Sequence, residues 1–259
     1  MVNINKGLKI AVSGTYSSGK TTTTEALSLL TGIPRTHAKT SREILLEALP
    51  GKQVQELNGR ELIQLGLLRL EERIANEEKV IGPFFSDGSV IHEWIYGQAR
   101  MIGGINPSDG FIARNIKKII GLPYKHFYQG YMDAYGVVVK TRAKRLYDAF
   151  VHLPVEFPLV GDNHRPVSEE FRALSDKILI DTLNELKIPY YVIGGSVKER
   201  LERIIEIFSL PMLMPIDEAI EKAKEKVANF LAVLESDARH HSHHRNKSFL
   251  RRLKYNLRN

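Results

Sequence analysis

An octapeptide near the N-terminus constrains the fold more than any other feature of the sequence. The stretch Gly14–Thr21, GTYSSGKT, matches the phosphate-binding pattern G-x-x-x-x-G-K-[ST] in full. The apolar run Leu8–Ser13 before it predicts a buried strand, and Lys20–Leu30 predicts the helix that follows. A strand, a glycine loop and a helix in this order are the context that the pattern requires, so we expect a nucleotide phosphate to bind here.

The residue types of this loop explain how it would hold a phosphate. Gly14 and Gly19 let backbone N–H groups turn toward phosphate oxygens, and the helix that starts at Lys20 adds the positive end of its dipole. The Lys20 ammonium group would reach the β- and γ-phosphates, and the Thr21 hydroxyl would be a ligand of Mg²⁺. The expected nucleotide-binding residues of this region are Gly14, Ser17, Ser18, Gly19, Lys20, Thr21 and Thr22.

The remaining sequence alternates short apolar runs with helical patterns, which predicts an α/β fold with a parallel sheet and right-handed crossovers. Ligands of such sheets bind at the carboxyl ends of the strands, where the phosphate loop and Asp87 both fall. Further strands are predicted at 34–37, 83–87, 148–154 and 189–195. Helices are predicted at 42–49, 60–80, 90–102, 168–186, 196–208 and 216–234. The clearest amphipathic stripe consists of Leu62, Ile63, Leu67, Leu70 and Ile74.

The chain is expected to consist of one main domain with two additions. At 259 residues it is long enough for an α/β domain with an appendage. We predict a phosphate-loop domain over 1–210, a C-terminal helix over 211–236 and a tail over 237–259. Within the first domain, 103–145 is predicted to be a mostly helical insertion, broken at GGINPSDG, at GLP and at Gly136.

The net charge of +7 is concentrated at the C-terminus. Seven Lys and Arg residues lie from Arg239 onward without any acidic residue, and they account for the whole excess of 37 basic over 30 acidic residues. A neutral body argues against a large nucleic-acid footprint outside this tail. The tail, RHHSHHRNKSFLRRLKYNLRN, leaves three interpretations open: a transition-metal site at its clustered histidines, an amphipathic helix that docks on a partner, an anionic membrane or RNA, or a solvated terminus.

The composition excludes several classes of site. The sequence contains no cysteine, so a disulfide framework, a thiolate metal site and a cysteine nucleophile are all excluded. The first residues lack the apolar segment of a signal peptide, and no apolar run approaches the roughly 20 residues of a membrane span. These features favour a cytoplasmic protein without a transmembrane segment.

Four side chains outside the loop are candidates for the chemistry. Asp87 ends an apolar strand beside the loop, which suits an acid that binds Mg²⁺ or a substrate hydroxyl, although Asp before Gly is also common in ordinary turns. Glu43 lies in the first turn of a helix on the same side of the sheet, where it would act in catalysis or only pair with the helix dipole. Arg165 and Arg172, in GDNHRPVSEEFR, would clamp a phosphoryl group or belong to a solvated loop.

Several sequence blocks together resemble the NadR-like family of P-loop NTPases. The blocks are VSGTYSSGKTT, SREILLE, FFSDGSVI, VEFPLVGDNHRP with EEFR, and LKIPYYVIGG with ERLERI, and they cover about 8–208. The resemblance implies a five-stranded parallel sheet, Mg-ATP as the phosphoryl donor, and a hydroxyl acceptor that is often a nucleoside. By this likeness Arg42 and Glu43 would face the substrate, Asp87 would be Mg²⁺ ligand and general base, and Arg165 would be the lid arginine.

Two features depart from that family. Ser89 stands where the family pattern has a second acid, two positions after the strand-end Asp87. The insertion 103–145 has no counterpart in the nicotinamide riboside kinase of that family. Its tyrosines would stack on a base or simply pack, and nearby arginines would meet an acceptor phosphate or lie at the surface. These residues are Tyr124, Tyr128, Tyr131 and Tyr135, and Arg100, Arg114, Arg142 and Arg145.

Two functions of different classes remain open. In the first, a small-molecule kinase, Lys20, Mg²⁺ bound at Thr21 and Arg165 hold the ATP phosphates, while Asp87 or Glu43 orients the acceptor hydroxyl. Nicotinamide riboside is one candidate acceptor. In the second, a bound nucleotide orders a lid and switches the binding of the basic tail to nucleic acid or a partner. The sequence lacks an [NT]-K-x-D guanine-reading pattern, so ATP is favoured over GTP.

Overall fold

A single sheet organises the protein, whose computed structural model describes residues 7–50, 52, 54–103, 122–156 and 169–234. The strands are β1 (Lys9–Ser13), β2 (Arg35–Thr36), β3 (Phe84–Asp87), β4 (Ala149–His152) and β5 (Tyr190–Val192). The α-helices of these ranges are α1 (Lys20–Thr31), α2 (Ser41–Ala48), α3 (Gly59–Glu78), α4 (Val90–Gly103), α5 (Leu122–Leu146), α6 (Glu169–Leu186), α7 (Val197–Phe208) and α8 (216–234).

The sheet is parallel throughout, with the strand order β2-β3-β1-β4-β5. The predicted five-stranded parallel sheet with flanking helices, a helical insertion and a C-terminal helix is therefore confirmed. Val12 of β1 lies opposite Asp87 of β3 and Val151 of β4. The carboxyl ends of the three central strands consequently meet at one edge, where the phosphate loop also begins.

Alternating side chains of the central strands fill two core layers, one on each face of the sheet. Ile10, Val12 and Phe85 pack on one face with apolar residues of α1, α7 and α8. Ala11 and Phe84 pack on the other face with residues of α4, α5 and α6. A smaller cluster joins α2 to α3, so these two helices form a separate flank near the carboxyl edge of the sheet.

Two predictions about the helices were wrong in detail. Leu67, placed in the apolar stripe of α3, is 48% exposed, whereas Leu65 is buried. The predicted break at Gly136 does not occur, because α5 continues through it. The Nε1 atom of Trp94 donates to the Met132 carbonyl oxygen at 2.8 Å, and a Cβ atom at Gly136 would lie only 2.9 Å from that nitrogen. Gly136 thus permits close packing of α4 on α5.

The C-terminal helix α8 packs against the main core. Ala219, Ile220 and Ala223 are buried in the same cluster as residues of α1 and α7. The predicted division of the chain at residue 210 stays a prediction. The tail from 237 onward and residues 104–110 of the predicted break GGINPSDG lie outside the described residues. None of the described helices is long and apolar enough to cross a membrane.

Candidate active site

The phosphate loop turns tightly between β1 and α1. Its backbone φ angles are 142° at Gly14, 61° at Ser17 and 83° at Gly19, a range that glycine adopts far more easily than other residues. A Cβ atom at Gly14 would lie 2.6 Å from the Leu153 carbonyl oxygen, so glycine is required there. Ser18 is fully buried, while Ser17, Thr21 and Thr22 are half-buried.

Lys20 begins α1, and its ammonium group folds back over the loop. The Nζ atom donates to the Thr15 carbonyl oxygen at 2.6 Å and lies 3.5 Å from Ser18 Oγ. The first turn of α1 is closed by a hydrogen bond of 3.0 Å from the Thr23 N–H to the Gly19 carbonyl oxygen. The positive charge therefore lies over the loop that the sequence pattern assigns to phosphates.

Asp87 lies at the carboxyl end of β3, beside the start of this loop. Its Oδ2 atom is 3.5 Å from Arg35 Nη1 and 3.6 Å from His37 Nδ1. The same Arg35 nitrogen donates to the Thr21 carbonyl oxygen at 3.3 Å. Arg35 thus joins the strand-end acid to the helix that carries Lys20 and Thr21. Arg35 and His37 had no signal in the sequence beyond a weakly predicted strand.

The electrostatic surroundings keep Asp87 ionised. Burial alone would raise the pKa of Asp87, but a hydrogen bond with His37 and the positive charges of Arg35 and Lys20 lower it to about 2. A carboxylate that is ionised at neutral pH together with the Thr21 hydroxyl is the kind of oxygen donor set that Mg²⁺ prefers, with the other ligands supplied by water and phosphate. The described residues contain no cluster of three or more acidic or histidine side chains that would form an all-protein metal site.

A buried ionic network supports the Asp87 turn from the side of α3 and α4. Arg69 and Arg73 both contact Glu93, at 2.5 Å from Arg69 Nε and 3.1 Å from Arg73 Nη2. Arg73 also donates to the Asp87 carbonyl oxygen at 3.1 Å. Burial alone would raise the pKa of Glu93, but the charges of these two arginines lower it. The network fixes the backbone at the strand end, and no sequence motif indicated it.

Glu43 is used in the start of α2. Its Oε2 atom accepts a hydrogen bond of 2.7 Å from the Thr40 N–H, and the Thr40 hydroxyl accepts one of 3.3 Å from the Glu43 N–H. This reciprocal pair is a capping box, which satisfies two backbone donors that the helix leaves unpaired. The structure thus gives Glu43 a structural role, and its catalytic role stays a prediction. The neighbouring Arg42 is half-buried.

The two predicted lid arginines fall in different parts of the structure. Arg172 is fully buried in α6, and its Nη1 atom lies 3.0 Å from Glu169 Oε1. That contact ties the first turn of α6 together. Arg165 lies outside the described residues. The predicted roles of both residues toward the nucleotide stay predictions.

An arginine of α7 that the sequence did not single out contacts the phosphate loop. Arg200 is fully buried and donates from Nη1 to the Ser18 carbonyl oxygen at 2.6 Å. Its Nη2 atom lies 3.0 Å from Glu156 Oε2, and that carboxylate also accepts a hydrogen bond of 2.8 Å from the Gly195 N–H. The ends of β4 and β5 are thereby joined to the loop.

The loop is also held by an aromatic stack that the sequence did not reveal. The Tyr16 ring lies 5.0 Å from the Tyr96 ring of α4, with an angle of 17° between their planes. Phe171 of α6 lies 6.4 Å from Tyr16 and 6.1 Å from Tyr96, and Arg100 lies over its ring. The loop, α4 and the start of α6 therefore share one cluster of rings.

The tyrosines of the insertion mostly pack against α3. Tyr135 is 6% exposed and donates to the Gly66 carbonyl oxygen at 3.1 Å, and the Tyr131 ring stacks on it at 5.7 Å. The Tyr128 hydroxyl lies against Gly59. These contacts favour the packing interpretation over base stacking. The Tyr124 side chain and Arg114 lie outside what the structure describes.

Two arginines of the insertion lie on α5. Arg142 is paired with Glu78 at 2.9 Å. Arg145 lines a shallow groove between α5 and the end of α6, together with Lys140 and Val137. Neither residue contacts the cluster of rings around Tyr16.

Comparisons with known proteins give one family and a set of similar folds. The family model described as an AAA domain matches residues 9–200. A comparison with curated proteins gave no match.

Three solved structures illustrate the similarity of fold, each at 16% sequence identity. Deoxyadenosine kinase from M. mycoides with bound dATP has a TM-score of 0.53, with 78% of this chain and 100% of that chain covered. Thymidylate kinase from Candida albicans also has a TM-score of 0.53, with coverages of 79% and 92%. The NadR protein in complex with NR has a TM-score of 0.50, and 82% of this chain covers 54% of that chain. At this identity the likeness concerns the fold.

Proposed function

This chain belongs to the AAA domain family, and on that basis we propose that it is an ATP-dependent kinase for a small molecule. The γ-phosphoryl group of Mg-ATP passes to a hydroxyl group of a nucleoside or nucleoside-like acceptor. The hydroxyl oxygen forms the new bond to phosphorus, the bond from phosphorus to the bridging oxygen breaks, ADP leaves with that electron pair, and the hydroxyl proton is released to solvent.

One observation carries this function: the phosphate loop and the strand-end acid meet at the same edge of the sheet. Val12, two residues before the loop, lies opposite Asp87. The Lys20 ammonium group folds over the loop, and Arg35 contacts both Asp87 and the backbone of Thr21. Phosphoryl transfer depends mainly on positioning and on charge, and these residues supply both.

Each residue at this edge has a proposed role. Loop N–H groups and the Lys20 ammonium group hold the phosphates of ATP. The Thr21 hydroxyl and the Asp87 carboxylate would hold Mg²⁺, which would neutralise charge on the β- and γ-phosphates. Because the pKa of Asp87 is lowered to about 2, this carboxylate is a weak base, and we assign it to the metal rather than to proton removal.

We propose roles for three arginines of the lid and the acceptor side. Arg165 remains the proposed clamp on the transferred phosphoryl group, in the segment that leads into α6. Arg172, buried beside Glu169, would anchor that helix. Arg42, at the start of α2, is proposed to face the acceptor.

A nucleoside-like acceptor is supported by the names of the proteins with a similar fold. Deoxyadenosine kinase and thymidylate kinase are named for a nucleoside and a nucleotide, and NadR was solved with NR. Nicotinamide riboside is therefore one candidate among nucleosides. Specificity for nicotinamide riboside, the ligand in the NadR structure, is a separate hypothesis for this chain. Two features depart from the family pattern: Ser89 replaces its second acid, and the insertion packs over α3 and α4.

The test is ATP consumption by the purified full chain with Mg²⁺ against a panel of nucleosides, including nicotinamide riboside. Mass spectrometry would follow the gain of one phosphate on each acceptor. Lys20→Ala should abolish transfer while the circular dichroism spectrum and the melting temperature stay close to those of the wild type, because Lys20 holds phosphate rather than the fold.

Lys79→Ala is a matched control, since Lys79 is an exposed lysine at the end of α3 and far along the chain from the loop. It should turn over acceptors like the wild type. ATP hydrolysis that leaves every acceptor unphosphorylated would contradict the kinase and favour the nucleotide-dependent switch. If wild type and Lys20→Ala phosphorylated acceptors equally well, Lys20 and its phosphate loop would have no part in the reaction.

A further inference from the structure

His92 is a buried histidine in the first turn of α4, five positions after Asp87 in the chain. It is 4% exposed, and its Nδ1 atom lies 2.8 Å from the Ser89 hydroxyl. Its Nε2 atom is buried and has no hydrogen-bond partner among the described residues. A buried polar atom without a partner is destabilising, so such an atom calls for an explanation.

The orientation of α4 brings His92 to the side of the phosphate loop. His92 and Tyr96 are one helical turn apart on the same face, and their rings lie 6.1 Å from each other. Tyr96 in turn stacks on Tyr16 of the loop at 5.0 Å. His92 lies one turn closer than Tyr96 to the end of β3, where Asp87 lies.

The charges around His92 agree with this placement. Burial lowers the pKa of His92 well below its usual value, and the positive charges of Lys20 and Arg73 lower it further. The ring is therefore within electrostatic reach of the Lys20 ammonium group, and it stays neutral. A second buried histidine, His152, differs because both of its ring nitrogens have neighbours, Ser13 Oγ at 3.2 Å and Asp176 Oδ2 at 3.7 Å.

We propose that His92 is a further catalytic residue, whose Nε2–H group donates a hydrogen bond to an oxygen of the γ-phosphoryl group. Phosphate oxygens only accept, so the Ser89 hydroxyl must donate to Nδ1 and leave the proton of the ring on Nε2. His92 keeps this proton during transfer and neither takes up nor releases one. The inference rests on the proposed function for its catalytic part, but contact with a γ-phosphate needs only nucleotide binding.

The first test compares three variants of the full chain in the acceptor assay. His92→Leu removes the donor and should lower kcat by about 100-fold with little change in the KM for ATP, as for other donors to a developing negative charge. His92→Gln retains an amide N–H group close to the position of Nε2 and should keep more of the activity. His126→Gln changes an exposed histidine of α5 and should behave like the wild type. Equal kcat values for wild type and His92→Leu would overturn the proposal.

The second test does not depend on turnover. Protein labelled with ¹⁵N-histidine is titrated with Mg-ADP and with a Mg-bound, non-hydrolysable ATP analogue, and the His92 resonances are identified by their loss in His92→Gln. The Nε2–H resonance should shift with the analogue and not with ADP. Identical shifts with both nucleotides, or none, would overturn the contact. If the wild type phosphorylates no acceptor, the proposed kinase function is wrong. The spectrum still shows in that case whether His92 contacts the γ-phosphate.

Discussion

Arg200 and Ser18 are 182 positions apart in the chain and are joined by a hydrogen bond of 2.6 Å from the Arg200 guanidinium group to the Ser18 carbonyl oxygen. This bond crosses from α7 to the phosphate loop. The bond restrains the backbone of the loop, because Arg200 is fully buried and its other terminal nitrogen is held by Glu156 at 3.0 Å. The shape of the loop therefore depends on a helix that lies far from it in the chain and against it in the fold.

Replacing this arginine should weaken both the fold and nucleotide binding. Arg200→Met leaves the Ser18 carbonyl oxygen buried without its charged donor, which should cost about 1–3 kcal/mol of unfolding free energy. A loop that is less well held should bind ATP about tenfold more weakly, the equivalent of roughly 1.4 kcal/mol. Urea unfolding and calorimetric titration with Mg-ATP measure the two effects.

Arg203→Met is the control for this change. Arg203 lies on the same helix but is exposed, and it pairs with Glu206 one turn further on. An exposed pair of this kind contributes little, so both measurements should match the wild type. If the two variants bound Mg-ATP equally well, Arg200 would have no role in shaping the loop.

The carboxylate of Asp87 should make stability fall in acid. Its pKa is 3.8 in an unfolded chain and about 2 in the fold, so the ionised form stabilises the fold above about pH 4. The contribution, about 2 kcal/mol in total, is lost as the pH falls from about 4 toward 2. The Asp87→Asn variant lacks this contribution. Its free energy of unfolding should therefore fall less steeply than that of the wild type as the pH falls.

Urea unfolding of both proteins between about pH 5 and about pH 3 checks this prediction. The wild type should lose roughly 1 kcal/mol more than Asp87→Asn over that interval. Parallel pH profiles would show that the carboxylate is not stabilised by His37, Arg35 and Lys20 as the structure indicates.

Two glycines of α5 should respond in opposite ways to the same substitution. Gly130→Ala adds a Cβ atom with nothing within 4 Å, so it should stabilise the protein by about 1 kcal/mol through helix propensity. Gly136→Ala adds one 2.9 Å from Trp94 Nε1, in a buried contact, and should destabilise it by about 1–3 kcal/mol.

Melting temperatures of the two alanine variants, with tryptophan fluorescence of the single Trp94, give the comparison. The fluorescence should change only in Gly136→Ala. Stabilisation by both substitutions would mean that α4 and α5 adjust freely, and that Gly136 is not needed for their packing.

Sequence reasoning succeeded where the signal was local. Helix α1 begins at Lys20 as predicted, and α2 begins one residue before its predicted start, where the Thr40 hydroxyl and a Glu three residues later satisfy each other's backbone groups. The parallel sheet followed from the alternation of apolar runs with helices, and the strand-end position of Asp87 followed from one such run. These features depend on neighbours within a few residues.

The remaining site could not be predicted because it is built from distant parts of the chain. Arg200, Tyr96 and Phe171 meet the phosphate loop only after the sheet has formed, and none of them belongs to a recognisable pattern. Gly136 resembled a helix breaker, since the sequence does not show that a tryptophan of another helix lies against it. The burial of Arg172 within α6 also had no signal in the sequence, and its role toward the nucleotide stays a prediction.

The packing of the phosphate loop limits which sequences this protein can tolerate. The general pattern leaves four positions open between its glycines, and here these are Thr15, Tyr16, Ser17 and Ser18. Thr15 and Ser18 are buried, the Tyr16 ring is stacked between α4 and α6, and Ser17 has a positive φ angle that favours glycine or asparagine. In a saturation screen of this loop, the four variable positions should prove nearly as intolerant of exchange as the residues that define the pattern.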